Sequence, residues 1–190
     1  TKSIVKRGVT ELITPGVALN DEVLQSKNNN FLAAVHFGKK CLGISFLDIS
    51  TGEFLTAEGD IEYIDKLLQN FSPSEVLVEK KNKTLFNETF GEKFYTFYLE
   101  DWVFQISFAT DSLLSQFKVN SLKGYGVEKL TEGIISSGAI LHYLSETQHN
   151  QLTHISGIQR IYENEYVWMD RFTVRNLELN HSTNENAITL

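Results

Sequence analysis

The sequence predicts an α/β domain, a mixed sheet flanked by helices, with partial segments on either side. Three observations carry that prediction. Short apolar runs separated by tight turns form a three-strand meander between residues 31 and 57. A helix-spaced stripe that stops at Pro73 and is followed by another apolar run forms a strand–helix–strand crossover. A long helix-spaced stripe closes the region before residue 150.

Each element has its own signal. Residues 1–13 alternate loosely, and Thr14-Pro15-Gly16 is a turn that ends them. The polar stretch from Asn20 to Asn30 reads as a linker on the surface, so residues 1–27 are set apart. Phe31–Phe37 is apolar at successive positions, as a central strand covered on both faces must be. Residues 42–47 and 53–57 follow, joined through Ser50-Thr51-Gly52. Asp60 is an N-cap for a helix on the stripe Ile61, Ile64, Leu67, Leu68 and Phe71. Beyond Ser72-Pro73-Ser74, where proline stops the helix, Glu75–Glu79 is a buried strand. Residues 94–98 are an aromatic strand, residues 109–117 a short helix, and residues 128–148 the longest helix, on Leu130, Ile134, Leu141 and Leu144. Its Gly133, Ser136, Ser137 and Gly138 sacrifice helix propensity, which predicts close approach of another element. This element order is that of an RNase H-like domain over residues 28–150, and other three-layer α/β folds share parts of it. From residue 151 the pattern changes: residues 158–162 and 166–169 read as a hairpin, and Asp170 caps a further helix through Leu179, the start of an incomplete second domain over 151–190.

Composition excludes several function classes. The net charge of −7, from 24 acids against 17 bases, argues against a domain built to grip phosphates. Lys39-Lys40 and Lys80-Lys81 with Lys83 sit at turn or strand-end positions and read as solvated charges. One cysteine, Cys41, allows no internal disulfide and fits a reducing compartment. No apolar run approaches the roughly 20 residues that cross a bilayer. The sequence opens at Thr1 with its single methionine at Met169, which predicts that the natural start lies elsewhere.

An RNase H-like order invites a metal-dependent nuclease, which needs an acid in the middle of the first strand. Phe31–Phe37 has none; Glu62, Asp65 and Glu79 are the remaining candidates, and solvated charges are the commoner reading of all three. Asp48 and Glu53 flank a turn, where an Asp ordinarily bonds the turn backbone. His36 reads as a buried, satisfied histidine; His142 and His149 are seven apart, too far for a helical metal pair, and His154 and His181 lie in loops or segment ends. Gly124-Tyr125-Gly126 lacks the GxGxxG spacing and the lysine–serine pair of a phosphate loop, and reads as the entry to the long helix. No catalytic, cofactor or metal residue emerges.

Four strings together resemble the MutS family of bacterial DNA mismatch-repair proteins. They are Ile13-Thr14-Pro15-Gly16 with Asp21-Glu22; Asn29-Asn30-Phe31-Leu32-Ala33-Ala34 with Leu47-Asp48-Ile49-Ser50-Thr51-Gly52-Glu53-Phe54; Gly124-Tyr125-Gly126-Val127-Glu128; and Met169-Asp170 with Thr173 and Arg175-Asn176-Leu177-Glu178-Leu179. The resemblance implies the connector domain, after a linker leaving the mismatch-binding domain and before the core or lever domain. It implies a parent protein that binds mismatched duplex DNA, hydrolyses ATP with Mg²⁺ in a domain absent here, acts as a homodimer or higher homo-oligomer, and works in the cytoplasm at the nucleoid. The connector is expected to couple the distant sites and to dock MutL. The expected partner surface is the helix at 109–117, with Asp111, Ser112, Ser115 and Gln116; Asp111 and Ser112 stand where related proteins carry longer amides.

Overall fold

The computed structural model describes residues 15–17, 30–147 and 152–162. The meander is present as β1 (Phe31–Phe37), β2 (Leu42–Asp48) and β3 (Phe54–Gly59), paired antiparallel in sequence order. Asp48 closes its second turn by accepting from Ser50 N at 2.8 Å and Ser50 Oγ at 2.6 Å, and Gly52 supplies the left-handed residue at φ 77°. The helix α1 (Ile61–Phe71) starts where Asp60 accepts from Tyr63 N at 2.9 Å and ends at left-handed Ser72. After it, β4 (Glu75–Glu79) lies parallel to β1, and β5 (Thr96–Leu99) lies parallel to β4. The helices α3 (Ile106–Phe117) and α4 (Thr131–Glu146) follow, and β6 (Gln159–Arg160) closes the six-stranded sheet in the order β5-β4-β1-β2-β3-β6. Helices flank this mixed sheet on both faces, as the RNase H-like order predicts.

The pleat explains why β1 is apolar throughout. Phe31, Ala33 and Val35 belong to one core with Ile64, Leu67, Leu68 and Phe86. Leu32 and Ala34 belong to the opposite core with Leu113, Ile135, Ala139 and Tyr143. On β2 the alternation carries a second message. Ile44 and Phe46 fill the α1 side, whereas Gly43 and Ser45 face α4. A Cβ on Gly43 would lie 2.1 Å from the Glu132 carbonyl carbon, so the backbones of sheet and helix meet there. Ser45 Oγ is bonded to Thr56 Oγ1 at 3.0 Å and to Ser136 Oγ and Ser137 Oγ at 2.7 Å each. The small residues of α4 thus serve close approach, as the sequence predicts.

Several boundaries differ from expectation. The last long helix runs from Thr131, not residue 128, because Leu130 N bonds Val127 O in a preceding turn. The aromatic strand starts at Thr96 rather than at 94, since Phe94 packs edge-on against Phe86. The helix expected at 109–117 begins three residues earlier, at Ile106. An unforeseen helix, α2 (Lys83–Phe90), buries Phe86 and Phe90. Lys83 is therefore its first residue rather than a turn residue, and it is exposed as expected, with Nζ 4.9 Å above the Tyr98 ring. Gln159–Arg160 pairs parallel with β3. The other half of the expected hairpin, residues 166–169, and the helix after Asp170 lie outside the described residues.

Candidate partner groove

The surface expected for a partner is built where α3 crosses α4. A Cβ on Gly138 would lie 2.4 Å from Ala109 Cα, so the helices touch backbone to side chain at that point. Phe108, Asp111, Ser112 and Ser115 follow the i, i+3, i+4, i+7 spacing of one helical face. Leu141, His142 and Ser145 of α4 face Phe108, Ser112 and Ser115 across a groove of about 700 Å³, closed at its far side by Leu152 and Ile155, and Asp111 stands exposed outside its lining. Of the four expected residues, Asp111 and Ser115 are exposed and Ser112 is half-buried, its hydroxyl donating to Phe108 O at 2.8 Å. The structure spends Gln116 differently: its amide donates to Leu152 O at 2.7 Å and Ile155 O at 3.0 Å, pinning that wall to α3.

At one end of the groove stands an aromatic ridge. Trp102 meets Phe108 at 5.2 Å and His142 at 4.9 Å between ring centroids, and Phe108 meets His142 at 5.6 Å, all edge-to-face. Burial holds the His142 imidazole below its ordinary pKa, against the opposing pull of Glu146. A second groove of about 440 Å³ lies beyond Trp102, reaching Phe97 and Glu146.

The nuclease candidates are scattered. Glu62 is exposed in the first turn of α1, and Asp65 accepts from Gln69 Nε2. Glu79 instead meets two residues that the sequence did not connect. The β1–β4 register sets His36 beside it, with Nδ1 3.9 Å from Glu79 Oε2, while His36 Nε2 lies 3.2 Å from Glu132 Oε2 at the start of α4. Glu79 also accepts from Lys81 Nζ and Asn82 Nδ2. Burial, then the Lys81 charge, presses His36 down to about 4. Burial raises Glu79 against the opposing hydrogen bond and charge of Lys81, and burial followed by Glu58 raises Glu132. A neutral imidazole thus stacks on Phe104 with its two nitrogens facing different carboxyls from opposite edges. Among the described residues no three His, Cys, Asp or Glu side chains are grouped to hold a metal ion. Gly124 and Tyr125 end a 3-10 turn that closes at left-handed Gly126.

The family model for MutS domain II matches residues 30–156. The chain belongs to the MutS family. It is 70% identical over all 190 residues to the DNA mismatch repair protein MutS of Flavobacterium johnsoniae. It is 68% identical to that of Flavobacterium psychrophilum and 65% to that of Christiangramia forsetii, again over its whole length. In each case it spans 22% of the relative's length. The MutS connector region is therefore the part described here.

Within this MutS connector, one turn that precedes domain II is docked. The 3-10 turn Pro15–Val17 lies against β1 and β4. Gly16 N donates to Glu75 Oε2 at 3.1 Å, and Tyr143 of α4 donates to Glu75 Oε1 at 2.9 Å. Asn30 Nδ2 donates to Pro15 O at 3.0 Å. A Cβ at Gly16 would fall 2.8 Å from Glu75 Cβ, so only glycine seats the turn. In the sequence Glu75 reads simply as a strand residue; a fully buried glutamate with donors from two elements is visible only in three dimensions.

Proposed function

We propose that this connector couples the mismatch-binding and ATPase parts of a longer mismatch-repair protein, and that its α3–α4 groove docks MutL. The observation that carries the docking half is the groove itself: Ser112 and Ser115 line it opposite Leu141, His142 and Ser145, with Asp111 exposed on the same helix. A concave strip with an apolar floor and polar rim is the ordinary anatomy of a recognition surface. The coupling half is supported by the docked Pro15–Val17 turn, which is tied to the sheet and, through Glu75 and Tyr143, to α4. Rigid ties of this kind let an element carry a change between distant sites.

In this reading the connector performs no reaction of its own. Mismatched duplex DNA, ATP and Mg²⁺ engage other parts of the longer protein, which works as a homodimer or higher homo-oligomer in the cytoplasm, at the nucleoid. Among the described residues no helix is long and apolar enough to cross a membrane.

The test is association with MutL from the same source, measured for the full-length protein and for this chain. Both are expected to bind. Replacing Ser115 by arginine, which fills the groove from its exposed rim, should weaken binding while DNA-stimulated ATP hydrolysis persists. Binding by the full-length protein alone, or no effect of the Ser115 change, would remove the groove from the account.

A further inference from the structure

We infer that the Trp102 end of the groove receives a basic, arginine-bearing segment of the docked protein, with the half-exposed indole as its anchor. This rests on the docking role proposed above and specifies the chemistry of the occupant.

The first observation is the tryptophan. Trp102 sits in the 3-10 turn Asp101–Val103, where Val103 and Phe104 are buried and hold the turn to the domain. Its own side chain is 50% exposed, and Ile106, at the start of α3, is 42% exposed. The ring is nonetheless braced by Phe108 and His142. A large aromatic held in place by its neighbours loses little freedom on binding, which makes it an efficient anchor.

The second observation is charge. Asp101 adjoins Trp102 in sequence, Asp111 lies three residues beyond Phe108 on α3, and Glu146 lies four beyond His142 on α4. Asp111 and Glu146 form no ion pair with a described residue, whereas Asp101 lies in the field of Lys80 and Lys81 and Glu100 is held by Lys80 Nζ at 2.8 Å. Lys118, which lines the groove, is the left-handed residue that caps the end of α3. Burial keeps the His142 imidazole short of its ordinary basicity, so it offers these carboxylates little competing charge. Glu146 lines the second groove together with Trp102, and acidic charge beside an exposed indole repels phosphate and attracts cations. Arginine fits both features, because its planar guanidinium stacks on aromatic rings and bonds carboxylates in pairs. Complementary charge of this kind fixes register and speeds encounter.

The experiment measures MutL binding by the full-length protein carrying this chain, at low and at physiological salt. The variants are Trp102→Ala, the double charge reversal Asp111→Lys with Glu146→Lys, and Tyr95→Ala as an exposed aromatic away from the groove, 57% exposed. Trp102→Ala is expected to weaken binding about tenfold or more, the size of a hot-spot loss. The double reversal should weaken it similarly at low salt and flatten the salt dependence, since it removes the attraction that salt screens. Tyr95→Ala should leave binding unchanged. All the altered groups are exposed or half-exposed, and unchanged circular dichroism confirms folding. If the parent protein binds but both groove variants stay within about twofold of it, the anchor fails while docking stands. Equal weakening by Tyr95→Ala and Trp102→Ala also overturns the anchor. No binding by the parent protein at all overturns the docking reading and this one with it.

Discussion

Replacing Gly138 by alanine sets two known effects against each other at the α3–α4 crossing. Alanine raises helix propensity over glycine by about 1 kcal/mol, so an unpacked position would gain stability. Here the new Cβ would lie 2.4 Å from both Cα and Cβ of Ala109. No side-chain rotation relieves a contact with a Cα atom. The helices must part by about 1 Å to restore van der Waals separation, loosening the neighbouring apolar contacts. Overpacking of this kind costs about 1–3 kcal/mol, and the clash with backbone belongs at the upper end. The expected net loss is about 1–2 kcal/mol, lowering the thermal midpoint by about 3–6 °C for a chain of this size. Thermal and urea unfolding followed by circular dichroism measures it. Adding Ala109→Gly removes one of the two clashes and should restore part of the loss. A gain of about 1 kcal/mol in the single variant would mean propensity acts unopposed, and the close crossing would be refuted.

Three further outcomes follow from the same geometry. Gly16→Ala should undock the Pro15–Val17 turn and speed hydrogen exchange at the residue-16 amide, while Tyr143→Phe removes a donor from buried Glu75 at a cost of about 1–3 kcal/mol; unchanged exchange would show that the tie does not hold. Ser45→Ala should cost only about 1 kcal/mol, because Ser136 and Ser137 keep their bonds to Gly133 O, whereas Ser45→Val forces methyl groups onto both hydroxyls and should cost clearly more. His36 supplies a pH test. Its folded pKa of about 4 lies below the ordinary histidine value of 6.5, so between those values the unfolded chain takes the extra proton. The stability it contributes is full above about pH 6.5 and lost as pH falls toward 4, by at most about 3 kcal/mol. Raised Glu79 and Glu132 act in the opposite sense, since the folded state binds their protons more readily. The difference between the parent chain and His36→Gln isolates the histidine: the parent should lose stability more steeply on acidification, and parallel curves would contradict the neutral imidazole.

What was legible in the sequence depended on how far apart the interacting residues lie. The strands β1 to β4, the Asp60 cap and the Ser72-Pro73 stop are local signals, and each stands where expected. The helix α2 escaped because its buried face consists of Phe86 and Phe90, too short a stripe to register as a period. The polar face of α3 was legible in Asp111, Ser112 and Ser115, but Gln116 could not be separated from them by pattern. Only the packing of Leu152 and Ile155 against α3 decides that its amide faces inward. Likewise Trp102 carries no local mark; its place beside Phe108 and His142 requires the turn after β5, α3 and α4 to be assembled.

By itself the sequence determined the alternation that makes a two-sided sheet, the turns that order it, and the family resemblance. It also determined that α4 must approach something closely, since Gly133, Ser136, Ser137 and Gly138 would otherwise weaken a helix. Only tertiary structure decided what they approach: Gly43 and Ser45 on one side, Ala109 on the other. The same holds for Glu75 with Gly16 and Tyr143, and for His36 between Glu79 and Glu132. Propensity and periodicity act over one or two turns of chain. Burial, pKa displacement and hydrogen-bond partnership are set by residues that meet only once the sheet has closed and both helical layers have packed on it.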